Sequence, residues 1–281
     1  MELTLPVTLA VLGAALLHAS WNALLKSGGD KQLDAVGLAA GSGAVALVAA
    51  PFLGVPASAS WPWIAASAVV HIAYFWALAG AYRWGDMSFS YPIMRGGGPL
   101  IVTIAGGAVF GEALAGAQVL GVLLISAGIL AFATPSARDP AAQKKSLAFA
   151  LVNACVIAAY TLIDAQGARL SGAPVSYTMW FFVANGMVIF AIGCLRRGAA
   201  APRHVLRQWR LTFVGGALAV GAYAVALWAM TQAPVALVAV LRETSVVFAA
   251  VLGALFLNER FTARRAGATL AVLAGLAVLR L

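Results

Sequence analysis

The chain alternates long apolar segments with short polar ones from its beginning to its end. Each apolar segment has about the 20 residues that an α-helix needs to cross the hydrocarbon core of a bilayer. The sequence therefore predicts an all-α polytopic membrane protein with ten transmembrane helices. The predicted spans are residues 5–25, 35–53, 63–82, 87–110, 115–133, 147–166, 177–195, 211–230, 234–257 and 263–281.

A polar linker at residues 135–146 divides the chain almost in half. Residues 1–134 would form a first repeat of five helices, and residues 147–281 would form a second. An odd number of spans in the first half means that the second half enters the membrane from the opposite side. The pattern thus predicts a 5+5 inverted repeat, with a site near the bilayer midplane where the repeats meet.

Two pairs of charged residues support this internal repeat. A shift of 147 residues places Arg95 on Arg242 and Glu112 on Glu259. Charged residues are rare in this chain, so two coincidences at one offset are unexpected without a repeat. A shift of 139 residues near the start of each half also places Trp21 opposite a tyrosine, which indicates loops of slightly different length.

Composition supports a membrane location for nearly the whole chain. Hydrophobic residues make up 63% of the 281 residues and charged residues only 10%, whereas soluble domains carry about 25% charged residues. In a soluble protein the net charge of +9 would suggest a nucleic-acid partner. Here the basic residues lie mainly between spans, where they orient the protein. We therefore expect a lipid bilayer as partner and no nucleic acid.

The positions of the basic residues also predict an orientation. Of the 18 Lys and Arg residues, 14 follow odd-numbered spans and two lie on the other side, while Arg95 and Arg242 lie inside spans. The excess of positive charge on the cytoplasmic side of membrane proteins places both termini outside. We expect a multi-pass protein of the cell inner (plasma) membrane.

The two arginines inside spans are the first candidate site residues. At 1.5 Å per residue, Arg95 lies about 13 Å into the fourth span and Arg242 about 12 Å into the ninth. A charge at such depth costs about 2.5–3.5 kcal/mol on insertion scales, and such residues usually face the bundle interior. Their forked guanidinium groups suit a carboxylate or phosphate of a substrate. Alternatively, each is a structural arginine tied to Glu243 or to carbonyl groups at helix ends.

Carboxylates inside or beside the spans allow two kinds of role. Glu243 lies deep in the ninth span, either as a proton-coupling group or as the counter-ion of Arg95, since a buried carboxylate stays ionised only beside a cation. Asp164, toward the end of the sixth span, is expected to serve that helix end. Glu112 and Glu259 stand beside short turns and are expected to bond to the first turn of the next helix.

Polar and aromatic side chains also recur within the apolar spans. His18 and Asn22 are four residues apart and therefore share one face of the first helix. A polar face toward lipid is unfavourable, so these residues should line a cavity or form hydrogen bonds between helices. Histidines without carboxylates at ligand spacing argue against a metal site, and we expect no cofactor. The candidate substrate-binding residues of this type are His18, Trp21, Asn22, His71, Tyr74, Tyr91, Tyr160 and Tyr223.

Glycines within spans predict either bends or close packing. The Gly-Gly-Gly-Pro run at 96–99 follows Arg95 directly, and such residues weaken and kink helices. We therefore expect a broken or bending helix beside a midplane site, with close helix packing as the alternative. The corresponding segment 243–245 lacks the run, so the two halves should not bend alike. Gly37 and Gly41 in the second span are expected to allow close packing.

Five short motifs then suggest a family. They are His18-Ala19-Ser20-Trp21-Asn22, Tyr91-Pro92-Ile93-Met94-Arg95-Gly96, Gly111-Glu112, Leu241-Arg242-Glu243-Thr244-Ser245 and Asn258-Glu259-Arg260. With these motifs the chain resembles the EamA-type members of the drug/metabolite transporter superfamily over essentially its whole length. The resemblance implies ten helices in a 5+5 inverted repeat, a central cavity and transport by alternating access. Asn258 departs from the family pattern, which usually has Gly there.

We therefore expect a secondary active transporter of a small polar metabolite, such as an amino acid or a small organic anion. The main alternative is a membrane-embedded enzyme acting on a lipid-linked or amphipathic substrate. Against it, the chain has only nine acidic residues, most of them at predicted helix ends. A channel would need a ring of charged side chains or a carbonyl filter, which the sequence does not suggest. The protein is expected to be a monomer or a homodimer.

Overall fold

The computed structural model describes residues 3–26, 29–134, 139–256 and 262–279. Over these ranges the chain is helical and contains no β-strand. A turn of 3₁₀ helix at Ser58–Ser60 precedes the third helix, and a turn of π-helix at Arg210–Val214 precedes the ninth. The α-helices are α1 (Leu5–Lys26), α2 (Lys31–Leu53), α3 (Trp61–Trp84), α4 (Met87–Phe110), α5 (Gly116–Leu130), α6 (Pro140–Leu170), α7 (Pro174–Arg197), α8 (Ala200–Arg207), α9 (Gly215–Gln232), α10 (Val235–Arg242), α11 (Ser245–Phe256) and α12 (Ala263–Val278).

Several of these helices can cross a membrane. Among the described residues, seven segments are long and apolar enough, while α5 is apolar but shorter. Large apolar side chains such as Phe52 and Ile104 lie exposed on helix surfaces, at 86% and 79%, as expected where lipid replaces water. The chain is therefore an all-helical membrane protein with several spans. The count of ten spans stays a prediction. The seven segments are Leu5–Leu25, Lys31–Leu53, Ser58–Trp84, Met87–Phe110, Pro140–Leu170, Pro174–Arg197 and Arg210–Gln232.

Contacts between residues group the chain into two compact units that interleave along the sequence. The first unit comprises Met1–Thr4, Val70–Leu162 and Ala233–Leu281. The second comprises Leu5–Val69 and Ile163–Gln232. Each unit thus combines helices from both halves of the sequence, and α3 and α6 contribute to both. The compact units are a different division of the chain from the predicted sequence repeats.

In the first unit, α5 and α12 pack closely at small residues. A Cβ added to Gly121 would lie 3.0 Å from the carbonyl oxygen of Gly275, and one added to Gly128 would lie 2.9 Å from that of Ala268. Residue numbers rise along α5 as they fall along α12, so the two helices are antiparallel. Gly121 and Ala268 are 147 residues apart, as are Gly128 and Gly275. The helices that the predicted repeat would make equivalent, α5 and α12, therefore run in opposite directions.

In the second unit, α2 packs closely against its neighbours through glycines. A Cβ on Gly41 would overlap the backbone of Thr212, and one on Gly37 would lie 3.1 Å from the Thr212 hydroxyl oxygen. A Cβ on Gly43 would lie 3.2 Å from the Cα of Gly186 in α7. The packing role predicted for Gly37 and Gly41 is confirmed.

The helix interruption lies elsewhere than predicted. α4 continues through residues 96–99 without a break, so of the expected broken or bending helix the break is wrong. A Cβ on Gly96 would lie 2.8 Å from Cγ of Leu130, and one on Gly98 would lie 3.0 Å from Cγ2 of Ile157. These glycines therefore allow close packing against α5 and α6, which was the alternative.

The break occurs between α10 and α11, within the predicted ninth span. The N–H groups of Glu243 and Thr244 donate to carbonyls three residues back, those of Val240 and Leu241, so the last turn tightens. The Thr244 hydroxyl also donates to the Leu241 carbonyl at 2.6 Å. Threonine side chains that bond locally to the backbone compete in this way with the helical ladder. The two halves therefore differ here, since the interruption lies in the copy without the glycine run.

Two helical segments extend beyond the predicted spans. α6 begins at Pro140, where the carboxylate of Asp139 accepts the Ala141 N–H at 2.9 Å. Residues 140–146 of the predicted linker are therefore helical, because Pro suits the first helical position and the carboxylate satisfies a free N–H group. α8 lies between α7 and α9, where the sequence pattern predicted only a loop.

Candidate functional site

A buried ion pair lies in the first unit. Nε of Arg95, in the middle of α4, is 2.6 Å from Oε2 of Glu243, and the two side chains are 8% and 5% exposed. A single charge buried away from water would be strongly unfavourable, and an opposite charge at hydrogen-bonding distance offsets much of that penalty. The distance supports the predicted role of Glu243 as the counter-ion of Arg95.

A second carboxylate links the end of α4 to the start of α10. Oε2 of Glu112, just beyond the end of α4, accepts the N–H of Val235, the first residue of α10, at 2.8 Å. The first N–H groups of a helix have no partner within it and carry partial positive charge, so a carboxylate is favourable there. Glu112 therefore bonds to the first turn of a helix as predicted, but to that of α10. Glu259 lies outside the described residues.

Aromatic side chains surround this ion pair. The guanidinium carbon of Arg95 is 5.9 Å from the ring centroid of Tyr91, one turn earlier in α4. His71 and Tyr74 in α3 both face Tyr160 in α6, with ring centroids 4.5 Å and 6.0 Å from that of Tyr160. We call His71, Tyr74 and Tyr160 the aromatic cluster. It presents ring faces, hydroxyls and an imidazole, groups able to pack against or hydrogen-bond a small polar molecule.

A cleft connects the aromatic cluster with the broken helix. Tyr160 borders it from α6, and Arg242 and Glu243 border it at the end of α10. The remaining wall is largely apolar and comes from α4, α6 and α10. One cleft therefore offers a cation, a carboxylate and a phenol within an apolar frame. Its full lining is Gly98, Pro99, Val102, Ile157, Tyr160, Thr161, Ala239, Arg242 and Glu243.

Of the eleven predicted site residues, seven lie in the first unit and four lie in the second. In the second unit, the rings of His18 and Trp21 pack edge to face with centroids 4.8 Å apart. The Asn22 amide donates to the His18 carbonyl at 2.8 Å within α1, so part of its hydrogen-bonding capacity is used locally. The seven are Arg95, Arg242, Glu243, Tyr91, His71, Tyr74 and Tyr160, and the four are His18, Trp21, Asn22 and Tyr223.

A buried carboxylate in the second unit was not anticipated. Asp164 is fully buried, and its two oxygens lie 2.8 Å from the Tyr177 hydroxyl and 2.5 Å from the Tyr223 hydroxyl. The expectation that Asp164 serves a helix end is wrong, because α6 continues to Leu170. We call Asp164, Tyr177 and Tyr223 the aspartate–tyrosine cluster. The only hint in the sequence was a carboxylate in an apolar segment followed by tyrosines in the next two spans.

Two further carboxylates fasten α2 at its N-terminal end. Asp30 caps the helix by accepting the N–H groups of Gln32 and Leu33, each at 3.1 Å. Its Oδ2 is also 2.5 Å from the guanidinium of Arg197 at the end of α7. The hydrogen bond from the Leu33 N–H lowers the pKa of Asp30 most, burial opposes it, and the hydrogen bond and charge of Arg197 lower the pKa further. Nearby, the buried Asp34 lies 2.8 Å from Nε2 of His204 in α8.

In the described part of the chain, no group of three or more His, Cys, Asp or Glu side chains is placed to hold a metal ion.

One comparison with known proteins concerns the family, and another concerns the fold. Residues 144–281 match the model of the EamA-like transporter family. No curated protein matches the chain. Among the solved structures, 27 chains match. One of these, described only as "Crystal structure of protein", is 22% identical, aligns with a TM-score of 0.74, and covers 98% of both chains. At that identity the similarity concerns the fold alone.

Proposed function

We infer that this chain, whose residues 144–281 belong to the EamA-like transporter family, is a secondary active transporter that moves a small polar metabolite by alternating access. The family is one of membrane transporters, which speaks against the alternative of a membrane-embedded enzyme. We place the protein in the inner (plasma) membrane. The antiparallel packing of α5 against α12, and of α4 against α10, supports the proposed inverted repeat.

The proposed class of substrate rests on the residues that line the cleft beside the broken helix. It is bordered by Arg242, Glu243 and Tyr160, and in this conformation it has room for about one water molecule. When the cleft opens, a substrate's carboxylate or phosphonate would reach the Arg242 guanidinium while its amino group reaches the Glu243 carboxylate. Arg242 borders this cleft, whereas Arg95 does not and is 2.6 Å from Glu243, so we assign Arg242 to the substrate anion. An amino acid, or another small organic anion, has the charges that this arrangement complements.

The same residues offer a route to conformational change. A substrate anion near Arg242 alters the charge balance around Glu243, which also holds Arg95. These residues lie at the junction of α10 and α11, where three-residue turns replace the helical ladder. A short junction of this kind can change its backbone angles with little loss of hydrogen bonding, and hinges of transporters and enzymes often lie at the ends of helices. We propose that α10 and α11 reorient about this junction when substrate binds.

Uptake into proteoliposomes tests the proposal. Purified protein would be offered labelled amino acids, phosphonates and organic acids, and initial rates compared for wild type, Arg242→Gln and Arg242→Lys. Losing a charge-assisted hydrogen bond of about 1.5–3 kcal/mol should lower uptake at least about tenfold in Arg242→Gln. Arg242→Lys keeps the charge but not the fork, so it should retain intermediate activity.

The matched control is Arg83→Gln, which removes an exposed arginine of the same unit that stacks on Trp84. Its uptake should stay within about twofold of wild type, as is usual for surface substitutions. Equal uptake by Arg242→Gln and wild type would remove Arg242 from the site. Failure of every carboxylate and phosphonate, with transport of a neutral or cationic solute, would overturn the substrate class.

We also propose that both termini lie outside the cytoplasm, on the strength of the basic residues alone. Single cysteines placed in the connections after α1, α3 and α7 should then react with an impermeant thiol reagent only after the cells are opened. Labelling of these positions in intact cells would reverse the orientation.

A further inference from the structure

A basic surface in the second unit is not used by the proposed transport mechanism. It extends from residue 195 to residue 214, contains α8, and has no acidic residue within it. We call it the α8 surface. Its exposed side chains include four arginines and two large apolar groups, namely Arg196, Arg203, Arg207, Arg210, Leu206 and Trp209.

The connectivity places α8 at a membrane face. α7 ends at Arg197, and the next spanning segment begins at Arg210. The short chain between them must leave and re-enter the bilayer on the same side, so α8 lies where lipid headgroups are. Its distribution of charged and apolar residues is that of an interfacial helix, with arginines beside inserted Leu and Trp side chains.

Contacts with the protein interior hold α8 in place. Its His204 is 2.8 Å from the buried carboxylate of Asp34 in α2, and Ala201 on the same side is fully buried. Just beyond α8, Thr212 packs against Gly41. These contacts fix which side of α8 faces the protein, and therefore which side is presented outward.

The outward side combines positive charge with apolar area. Arg203 and Arg207 are four residues apart and share one side of α8. In the described ranges neither has a carboxylate partner. Leu206 is 73% exposed and Trp209 is 53% exposed. Exposed Leu and Trp next to arginines suit a bilayer interface, because the apolar groups enter the acyl region while the guanidinium groups stay at phosphate level.

We propose that the α8 surface binds the headgroups of anionic phospholipids, with Arg203, Arg207 and Arg210 on the phosphates and Leu206 and Trp209 inserted among the acyl chains. The net positive charge of the surface selects an anionic headgroup over a zwitterionic one. This inference does not depend on the transported substrate. It requires only that the chain spans a membrane.

Fluorescence quenching by brominated lipid tests the proposal on the full-length chain. The protein would be reconstituted in nanodiscs of phosphatidylcholine with a rising fraction of brominated phosphatidylglycerol, or of brominated phosphatidylcholine as comparison. The chain has eight tryptophans, so the signal of Trp209 is taken as the difference between wild type and Trp209→Phe. We expect the Trp209 signal to show a preference for phosphatidylglycerol of about tenfold or more.

Charge variants then locate the preference. Arg203→Gln should reduce it about fivefold, and Arg203→Gln/Arg207→Gln should bring it close to one, from the contribution of each basic residue near an anionic surface. The matched control is Lys144→Gln, which removes one exposed positive charge at the start of α6. It should change the preference of Trp209 by less than about twofold.

Three results would overturn the proposal. Equal quenching of Trp209 by both brominated lipids would show that no anionic headgroup is selected. Quenching of Trp209 by aqueous iodide but by neither lipid would assign the surface to a soluble partner. Loss of the phosphatidylglycerol preference on adding millimolar glycerol phosphate, but not equal sodium chloride, would assign it to a soluble phosphate compound.

Discussion

Glu243 in the first unit and Asp164 in the second are both buried carboxylates within apolar helical surroundings, yet their neighbours differ. Glu243 is 2.6 Å from the guanidinium of Arg95 and borders a cleft. Asp164 receives the hydroxyls of Tyr177 and Tyr223, at 2.8 Å and 2.5 Å. One is paired with a charge beside an opening, and the other is bonded to hydroxyls of two further helices inside the packed unit.

This difference separates two uses of a buried carboxylate. An ion pair at a cleft can exchange one charged partner for a charged ligand, so it can respond to substrate. Hydroxyl bonds from α7 and α9 tie those helices to the second part of α6, and such satisfied polar networks make a packing arrangement specific. We therefore expect changes at Glu243 to alter both stability and transport, and changes around Asp164 to act mainly on stability.

The largest expected effect comes from breaking the ion pair. Glu243→Ala leaves the guanidinium of Arg95 buried without that carboxylate, and should destabilise the protein by about 3–5 kcal/mol. Thermal unfolding of purified protein in detergent measures the loss. The double variant Arg95→Met/Glu243→Leu removes both charges and should recover most of the stability, while uptake stays abolished. A double variant as unstable as Glu243→Ala would show that charge compensation is not the cause.

The second effect concerns the aspartate–tyrosine cluster. Tyr177→Phe and Tyr223→Phe each remove one hydroxyl donor to a buried carboxylate, and each should cost about 1.5–3 kcal/mol. Tyr82→Phe is the matched control, since in the described structure the Tyr82 hydroxyl makes no hydrogen bond. It should change stability by less than about 0.5 kcal/mol. If Tyr223→Phe instead lost uptake at unchanged stability, the cluster would belong to the transport site, and the contrast with Glu243 would fail.

A carboxylate at a helix end should matter less than either buried one. Glu112→Ala frees the N–H of Val235 at the start of α10 and should destabilise by about 0.5–2 kcal/mol, as does the loss of other helix caps. Glu112→Gln keeps an acceptor oxygen and loses only the charge, about 0.3–1 kcal/mol. Equal unfolding temperatures for wild type and Glu112→Ala would show that this bond does not hold α10.

The smallest effect belongs to Asp30, whose carboxylate is 37% exposed beside Arg197. Its pKa is lower in the folded protein, chiefly through the Leu33 N–H, so its stabilisation is complete above the unfolded pKa of about 4. That stabilisation disappears as pH falls through the lower folded value. At neutral pH, wild type should unfold at a slightly higher temperature than Asp30→Asn. The corresponding difference in the free energy of unfolding should be well under 1 kcal/mol, because solvent screens the pair. The difference should close once the pH lies below the lowered folded pKa of Asp30, and a constant difference at all pH values would exclude the charge as its source.

The helical fold and most of the candidate site were predictable because they depend on local patterns. Apolar segments of spanning length predicted the positions of α1 to α7 closely, and the two arginines inside such segments indicated a site facing the interior. The break between α10 and α11 was not predictable from helix-weakening residues. Gly96 lies in an unbroken helix packed on Leu130, whereas Glu243 and Thr244, without Gly or Pro, interrupt theirs.

The sequence by itself determined that this protein is built of apolar helices in a membrane, because a span of about 20 apolar residues must satisfy its backbone within its own helix. Residues 144–281 of the sequence also match the model of the EamA-like transporter family.

Only the tertiary structure decided which partner each polar side chain found. Arg95 pairs with Glu243 across 148 positions of sequence, Asp164 accepts the Tyr223 hydroxyl, and Glu112 accepts the first N–H of α10. Residues so far apart come together through helix packing, and many helix arrangements bury the same apolar surface. The free energy gained by burying apolar surface is nearly the same in each of these helix arrangements. The detailed fit of the helices therefore decides which polar groups pair, and the order of residues along the chain does not.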